Sequence, residues 1–212
     1  MATEQKATVI SGDLVDSSLL KPAPRKRLQH MLDSFFDQAV KQWPDLQMQQ
    51  YRGDSIQGIL TKNRQVALRL VLLLQSHLAK ESFKIRLSIG VGDISFKSKQ
   101  VITSDGSAFQ ASGPWLDALA KSGEVISIAG SNADFTSEWQ AHSASLNYII
   151  QRWTTQQANA VYLQLQDHTQ QEIAKKLKIK QPSVYQRLQA AGWPAVQKIL
   201  NRFESVILNL NA

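Results

Sequence analysis

The stretch LQMQQYRGDSIQGILT, residues 46–61, decides the fold. Gly53-Asp54 is a strong two-residue turn signal, and it separates two strand-length segments, Leu46–Arg52 and Ser55–Thr61. That pattern predicts a β-hairpin. Helical patterns lie on both sides of it. Before it, Pro22–Trp43 carries Leu28, Met31, Leu32, Phe35, Phe36 and Ala39 at helical spacing and is stopped by Pro44. After it, Val66–Leu78 (VALRLVLLLQSHL) is apolar on nearly every side but Arg69. One step further out lie two strands. Ala7–Val15 (ATVISGDLV) reads as a buried strand ending in an Asp-Ser-Ser turn, and Lys84–Ser95 alternates through Ile85, Leu87, Ile89 and Val91. The resulting order, βαββαβ, predicts an α+β fold with a ferredoxin-like antiparallel sheet covered by helices. Beyond it follow a helix over Gly106–Lys121, interrupted at Gly113-Pro114, a strand over Glu124–Ala129 and a connecting helix over Asp134–Arg152. Such a fold alone says little about function.

A second organising stretch is TQQEIAKKLKIKQPSVYQRLQAA, residues 169–191. Thr169 and Glu172 have capping-box spacing, in which each side chain satisfies the other residue's backbone N–H. Ile173, Ala174 and Leu177 share a helical face, Lys178-Ile179-Lys180 makes a turn, and Pro182 suits the first turn of a following helix. Val184, Leu188 and Ala191 give that second helix an inward stripe. With Thr154–Gln166 as a preceding helix, the pattern is that of a helix-turn-helix. The expected DNA contacts are Lys175, Lys176, Lys178 and Lys180 around the turn, with Gln181, Ser183, Tyr185, Gln186 and Gln189 facing outward and Arg187 at the edge. An ordinary helical hairpin that packs on the rest of the chain is the plainer alternative. The last helix, Pro194–Leu210, is apolar at Val196, Ile199, Leu200, Phe203, Val206 and Ile207; that stripe either completes a small core or forms a dimer seam.

Charge is distributed unevenly over the 212 residues, whose net charge is +7. From Gln151 onward, eight Lys/Arg against three Asp/Glu leave +5; the first 150 residues, with sixteen against fourteen, leave +2. The smaller part therefore carries most of the positive field, as a nucleic-acid-binding module would. The expected division is an α+β domain over 1–150 and a helix-turn-helix DNA-binding domain over 151–212. There are no cysteines, which excludes disulfide and thiolate chemistry. The longest apolar run, Leu70–Leu74, is far too short to span a membrane, and the start lacks the pattern of a signal peptide. A cytoplasmic protein is expected. The four histidines are scattered without metal-ligand spacing, and no phosphate-binding glycine loop or nucleophile elbow occurs.

Gly-Asp recurs at Gly12-Asp13, Gly53-Asp54 and Gly92-Asp93. In a βαββαβ sheet the first strand neighbours the hairpin, which brings Asp13 and Asp54 towards each other. Two close carboxylates repel unless a cation lies between them, and oxygen ligands favour Mg²⁺. Gly-Asp also simply makes good turns. The segments TVISGDLVDSS, YRGDSIQGIL, IRLSIGVGDIS and DGSAFQAS, in that order, resemble the SatD-like family. Its N-terminal part is similar to the palm domain of nucleotide cyclases, and the family tends to end in a helix-turn-helix. The resemblance implies that Asp13 and Asp54 are metal ligands, with Asp105, which opens the DGSAFQAS motif, as a further nucleotide-site candidate. Two departures weaken catalysis. Where class III cyclases carry a transition-state Asn and Arg, this chain has Gln110 and Pro114, and Asp54 is followed by Ser55 instead of a second acid. Charge stabilisation of that kind is central to phosphoryl chemistry.

The reading that combines these features is a DNA-binding regulator, dimeric, whose cyclase-like domain senses a ligand such as a nucleotide with Mg²⁺, or scaffolds the dimer. Its rival is a Mg²⁺-dependent nucleotide cyclase or nucleotidyltransferase-like enzyme with an accessory DNA-binding part. A ligand-free adaptor is the third.

Overall fold

Five strands, β1 (Gln5–Leu14), β2 (Gln47–Tyr51), β3 (Ser55–Leu60), β4 (Ile85–Ile94) and β5 (Ile126–Gly130), form one sheet in the order β2-β3-β1-β4-β5. The computed structural model describes residues 5–51, 53–94 and 105–210. Arg52 and Ser95, the expected ends of two strands, lie outside the described residues. The first four strands pair antiparallel in the ferredoxin-like order, and β5 adds a parallel edge beside β4. Gly53 has φ +80, a conformation that a residue with a Cβ adopts only under strain, and it closes the expected hairpin between β2 and β3.

Alternation along β1 and β4 assigns the two faces of the sheet. Ile10, Leu14, Ile85, Leu87, Ile89 and Val91 belong to the main core, under α1 (Pro22–Gln42), α2 (Ala67–Ala79) and α4 (Ala133–Ile150). The opposite face carries a small cluster of Ala7, Val9, Ile59, Ile94 and Ala108 beneath α3 (Ser107–Ser122). Here α3 rests on bare backbone. A Cβ at Gly90 would stand 2.0 Å from the Ala108 carbonyl oxygen and 2.8 Å from the Ser112 nitrogen. The Ser11 and Ser112 hydroxyls meet at 3.0 Å across the same contact.

The interruption expected at Gly113-Pro114 does not occur; α3 is continuous through Pro114. Proline deprives the carbonyl four residues back of its N–H partner. That carbonyl belongs to Gln110, which like Pro114 is exposed, so the lost bond falls on the solvent side of the helix. Meanwhile Ala108, Ala111, Ser112 and Leu119 hold the helix on the sheet.

Eleven of the thirteen residues of α2 are buried, because a helix apolar on every side must lie between layers. The sheet lies on one side of it. On the other are α5 (Thr155–Leu165) and α8 (Trp193–Asn209), which with α6 (Gln170–Leu177) and α7 (Gln181–Ala190) complete the chain. A single cluster of buried side chains runs from Ile10 to Ile207. Arg69, the one charge on α2, reaches Glu204 at 3.1 Å, the Leu165 carbonyl at 3.2 Å and Asp167 at 3.3 Å, which ties α2 to α8 and to the end of α5. The apolar stripe of α8 is buried within the chain, through Val196, Ile199, Leu200, Phe203 and Ile207. Among the described residues no helix is long and apolar enough to cross a membrane.

Candidate functional site

Two surfaces contain the residues singled out from the sequence, except Asp105. The first is built on α6 and α7. The Thr169 N–H donates to Glu172 Oε2 at 2.8 Å, and the Glu172 N–H donates to Thr169 Oγ1 at 3.3 Å, so the capping box is formed. The Thr169 backbone N–H, followed by its hydroxyl, holds the Glu172 carboxyl below the usual range. Lys178 turns the chain with φ +54, and the Ile179 N–H closes the helix end on the Ala174 carbonyl at 3.0 Å. Val184, Leu188 and Ala191 are buried, which orients the rest of α7. Lys175, Lys176, Lys178, Lys180, Gln181, Tyr185, Gln186 and Gln189 are exposed, while Ser183 and Arg187 are half-buried. Lys175 and Lys176 sit in the last turn of α6, where the helix dipole favours cations. Ser183, Gln186 and Arg187 border a shallow groove of about 240 Å³ against Thr154 and Gln157 at the start of α5. Trp153 fixes the pair of helices by donating its Nε1 hydrogen to the Ala191 carbonyl at 2.8 Å.

The second surface is the end of the sheet where β1 finishes. Asp13 pairs across with Ser55, and the Leu14 N–H donates to the Asp54 carbonyl at 3.0 Å, so Asp13 and Asp54 do share one end. Their carboxylates are in different situations. Asp13 stands opposite Arg86 of β4, whose Nε donates to both its oxygens at 3.1 Å and whose Nη2 adds a third bond. The hydrogen bonds to Asp13 raise the Arg86 pKa further above its ordinary value. Asp54 is exposed in the turn and, among the described residues, its carboxylate accepts only from the Ser55 hydroxyl, at 3.3 Å. Asp13 is thus already paired with a cation, the Arg86 guanidinium on the β4 side of β1.

Asp105 does not join this pair. It precedes α3, whose Ser107 hydroxyl accepts from the Asp93 N–H at 2.9 Å, near the far end of β4. Asp93 is seven residue steps along the strand from Arg86, roughly 23 Å of extended chain, which is too far to share an ion with Asp13. Among the described residues no group of three or more His, Asp or Glu side chains could hold a metal ion. Beside Arg86 opens a cavity of about 410 Å³ that reaches Phe83, Lys84, Gln75, Val125 and Trp153. Trp153 lines it; Trp115, on α3, does not.

Sequence reasoning missed Arg86. It lies on the polar side of an alternating strand, and only the β1–β4 register places it opposite Asp13. It also missed Arg64, which precedes α2 in a short 3₁₀ turn and is buried. No local pattern marks an arginine that will be covered by helices distant in sequence.

The SatD family model matches residues 7–206 of the chain. No curated protein matches it. Among solved structures, the chain is similar to a bacterial light-regulated adenylyl cyclase, at 13% identity and a TM-score of 0.44 over 59% of this chain and 76% of that one. It is also similar to the active GGEEF domain of a diguanylate cyclase from Vibrio cholerae, at 14% identity and a TM-score of 0.43 over 60% and 84% of the respective chains.

Proposed function

This chain belongs to the SatD family, and we propose that it acts as a DNA-binding transcriptional regulator. In this reading α6 and α7 are a helix-turn-helix, residues 151–212 are the DNA-binding unit, and residues 1–150 sense a ligand or scaffold a homodimer. One observation carries the reading. The burial of Val184, Leu188 and Ala191 leaves Tyr185, Gln186 and Gln189 exposed on α7, beside four exposed lysines around a turn closed by Lys178. Lysines so placed contact phosphates irrespective of sequence, and glutamine can pair bidentately with adenine. A dimer would set two such helices about 34 Å apart on successive major grooves. The test is duplex-DNA binding by the full chain across a salt series, read by fluorescence anisotropy. Lys176→Ala with Lys178→Ala should weaken binding to all sequences and flatten the salt slope by about one unit per lost phosphate contact. An unchanged slope and affinity in that double variant would overturn the assignment.

A second reading is favoured by the common sheet end of Asp13 and Asp54: a nucleotide held there with Mg²⁺. It requires Arg86 to release Asp13, or to turn its guanidinium to a phosphate. Calorimetry with ATP or GTP and Mg²⁺, on the native chain and on Asp54→Asn, separates the readings. Absence of heat in the native chain removes the nucleotide and leaves the DNA proposal intact.

A further inference from the structure

Arg64 is 2% exposed, yet among the described residues its Nη2 atom has no hydrogen-bond partner. A buried guanidinium with an idle donor is costly, because it gives up hydration without a replacement. Burial lowers its pKa, and the nearby Asp93 charge only partly offsets that. Asp93 itself is engaged by Lys6, at 3.9 Å. Nη2 itself is covered, but Arg64 as a residue lines a cavity of about 420 Å³ at the end of the sheet opposite Asp13. Lys6 enters it from β1, Gly92 from β4, and Ser131 and Asn132 from the turn that opens α4. The eighteen-residue α4 therefore directs the positive end of its dipole towards this space.

The acids around the cavity do not use the Arg64 donor. Glu138 accepts from Arg202 at 3.1 Å, and Asp134 is solvent-exposed in the first turn of α4. They do shape what can enter, since an acidic rim repels a ligand with several negative charges. The combination calls for one anionic group placed deep, against the guanidinium, with an uncharged remainder nearer the rim.

We propose that this cavity binds a small molecule bearing a single anionic head, a carboxylate or a phosphate monoester, whose oxygens accept hydrogen bonds from Arg64. The site is separate from both the α6–α7 surface and the Asp13–Arg86 pair, so it stands or falls independently of the DNA reading.

The test titrates the full chain with inorganic phosphate and, separately, with acetate, against sodium chloride at matched ionic strength. Thermal melting is read for both anions and the ³¹P line width for phosphate. The native protein should show a saturable rise in Tm with at least one anion, and the one that works identifies the head group. Arg64→Met, which fills similar volume without charge, should melt no lower than the ligand-free native protein and should lose the saturable rise. If that variant does not fold, Lys6→Gln provides the check: it keeps Arg64 and should shift saturation to higher anion concentration. No saturable response to either anion in the native protein overturns the proposal. So does an Arg64→Met response equal to the native one, or an unshifted Lys6→Gln titration.

Discussion

Lowering the pH from 7 to 4 should remove stability through one side chain, His77. It is buried in α2, where its ring lies 5.7 Å from that of Phe35 and 5.0 Å from that of Tyr162. Its Nε2 lies 3.3 Å from the Met31 carbonyl, which selects the tautomer that donates there, and its Nδ1 is buried without a partner among the described residues. A second proton would have to sit on that orphaned nitrogen. Burial, followed by the charge of Lys80, brings the pKa down to about 4, although the Met31 bond pulls the other way. Lys80 is held over the Tyr162 ring, 4.3 Å from its centroid, and so cannot swing far from the imidazole. Because the folded pKa lies below the unfolded value of roughly 6.5, the unfolded chain takes the proton first. The stability is fully present above about pH 6.5 and is lost as pH falls towards 4. The gap of roughly 2.5 units at 1.36 kcal/mol each is about 3 kcal/mol at most, or a fall in Tm of roughly 6–12 °C for a domain of this size. Urea unfolding of the native chain and of His77→Gln, at steps from pH 7 to 4, reads it directly. Glutamine keeps a donor for Met31 but does not titrate, so the two stability curves should diverge as the pH falls. Parallel curves would refute the account.

Other perturbations have equally definite outcomes. Gly90→Ala should destabilise by about 1–3 kcal/mol or more, since α3 lies on the very space the methyl would need; a native melting temperature would show that α3 lifts freely. Asp45→Ala removes the acceptor of the Thr61, Lys62 and Asn63 N–H groups and should lower unfolding free energy by about 1–3 kcal/mol in denaturant titrations. Burial alone would raise the Asp45 pKa, but the Asn63 side chain and these N–H groups outweigh it and lower it; that contribution is present above the unfolded carboxylate value and fades only in stronger acid than the His77 effect. Arg69→Ala should likewise cost about 1–3 kcal/mol, leaving the half-buried Glu204 without its partner. On the proposed DNA-binding reading, Gln186→Ala should relax base preference at one position of the bound site, by roughly 1–3 kcal/mol, and selection of binding sites that returned an unaltered consensus would count against it.

The elements were legible where chemistry is local. The Gly53-Asp54 turn, the Thr169 capping box and the alternation of Ile85 to Val91 each signal through neighbours in sequence, and each forms in the fold. Pro114 misled because proline's effect depends on exposure: at a solvent-facing position the carbonyl it deprives is not buried away from solvent. The sheet end was half legible. Adjacency of Asp13 and Asp54 follows from strand order, whereas the Asp13–Arg86 pair depends on register between residues 73 apart in sequence. Arg64 was not legible at all, because its burial is produced by elements remote in the chain, α8 among them.

The position of α2 has a mechanical consequence. Its sheet-facing and outward-facing sides are both apolar and both covered, so the junction at Gln151–Trp153 is not a tether between independent bodies. A protease nick there would leave the two pieces bound to each other, and a fragment ending at that junction would expose the outer side of α2 to water and aggregate. Heat should melt the sheet and the last four helices in one transition. Any displacement of α5 that is large enough to re-aim α7 must also shift α2 against the strands beneath it.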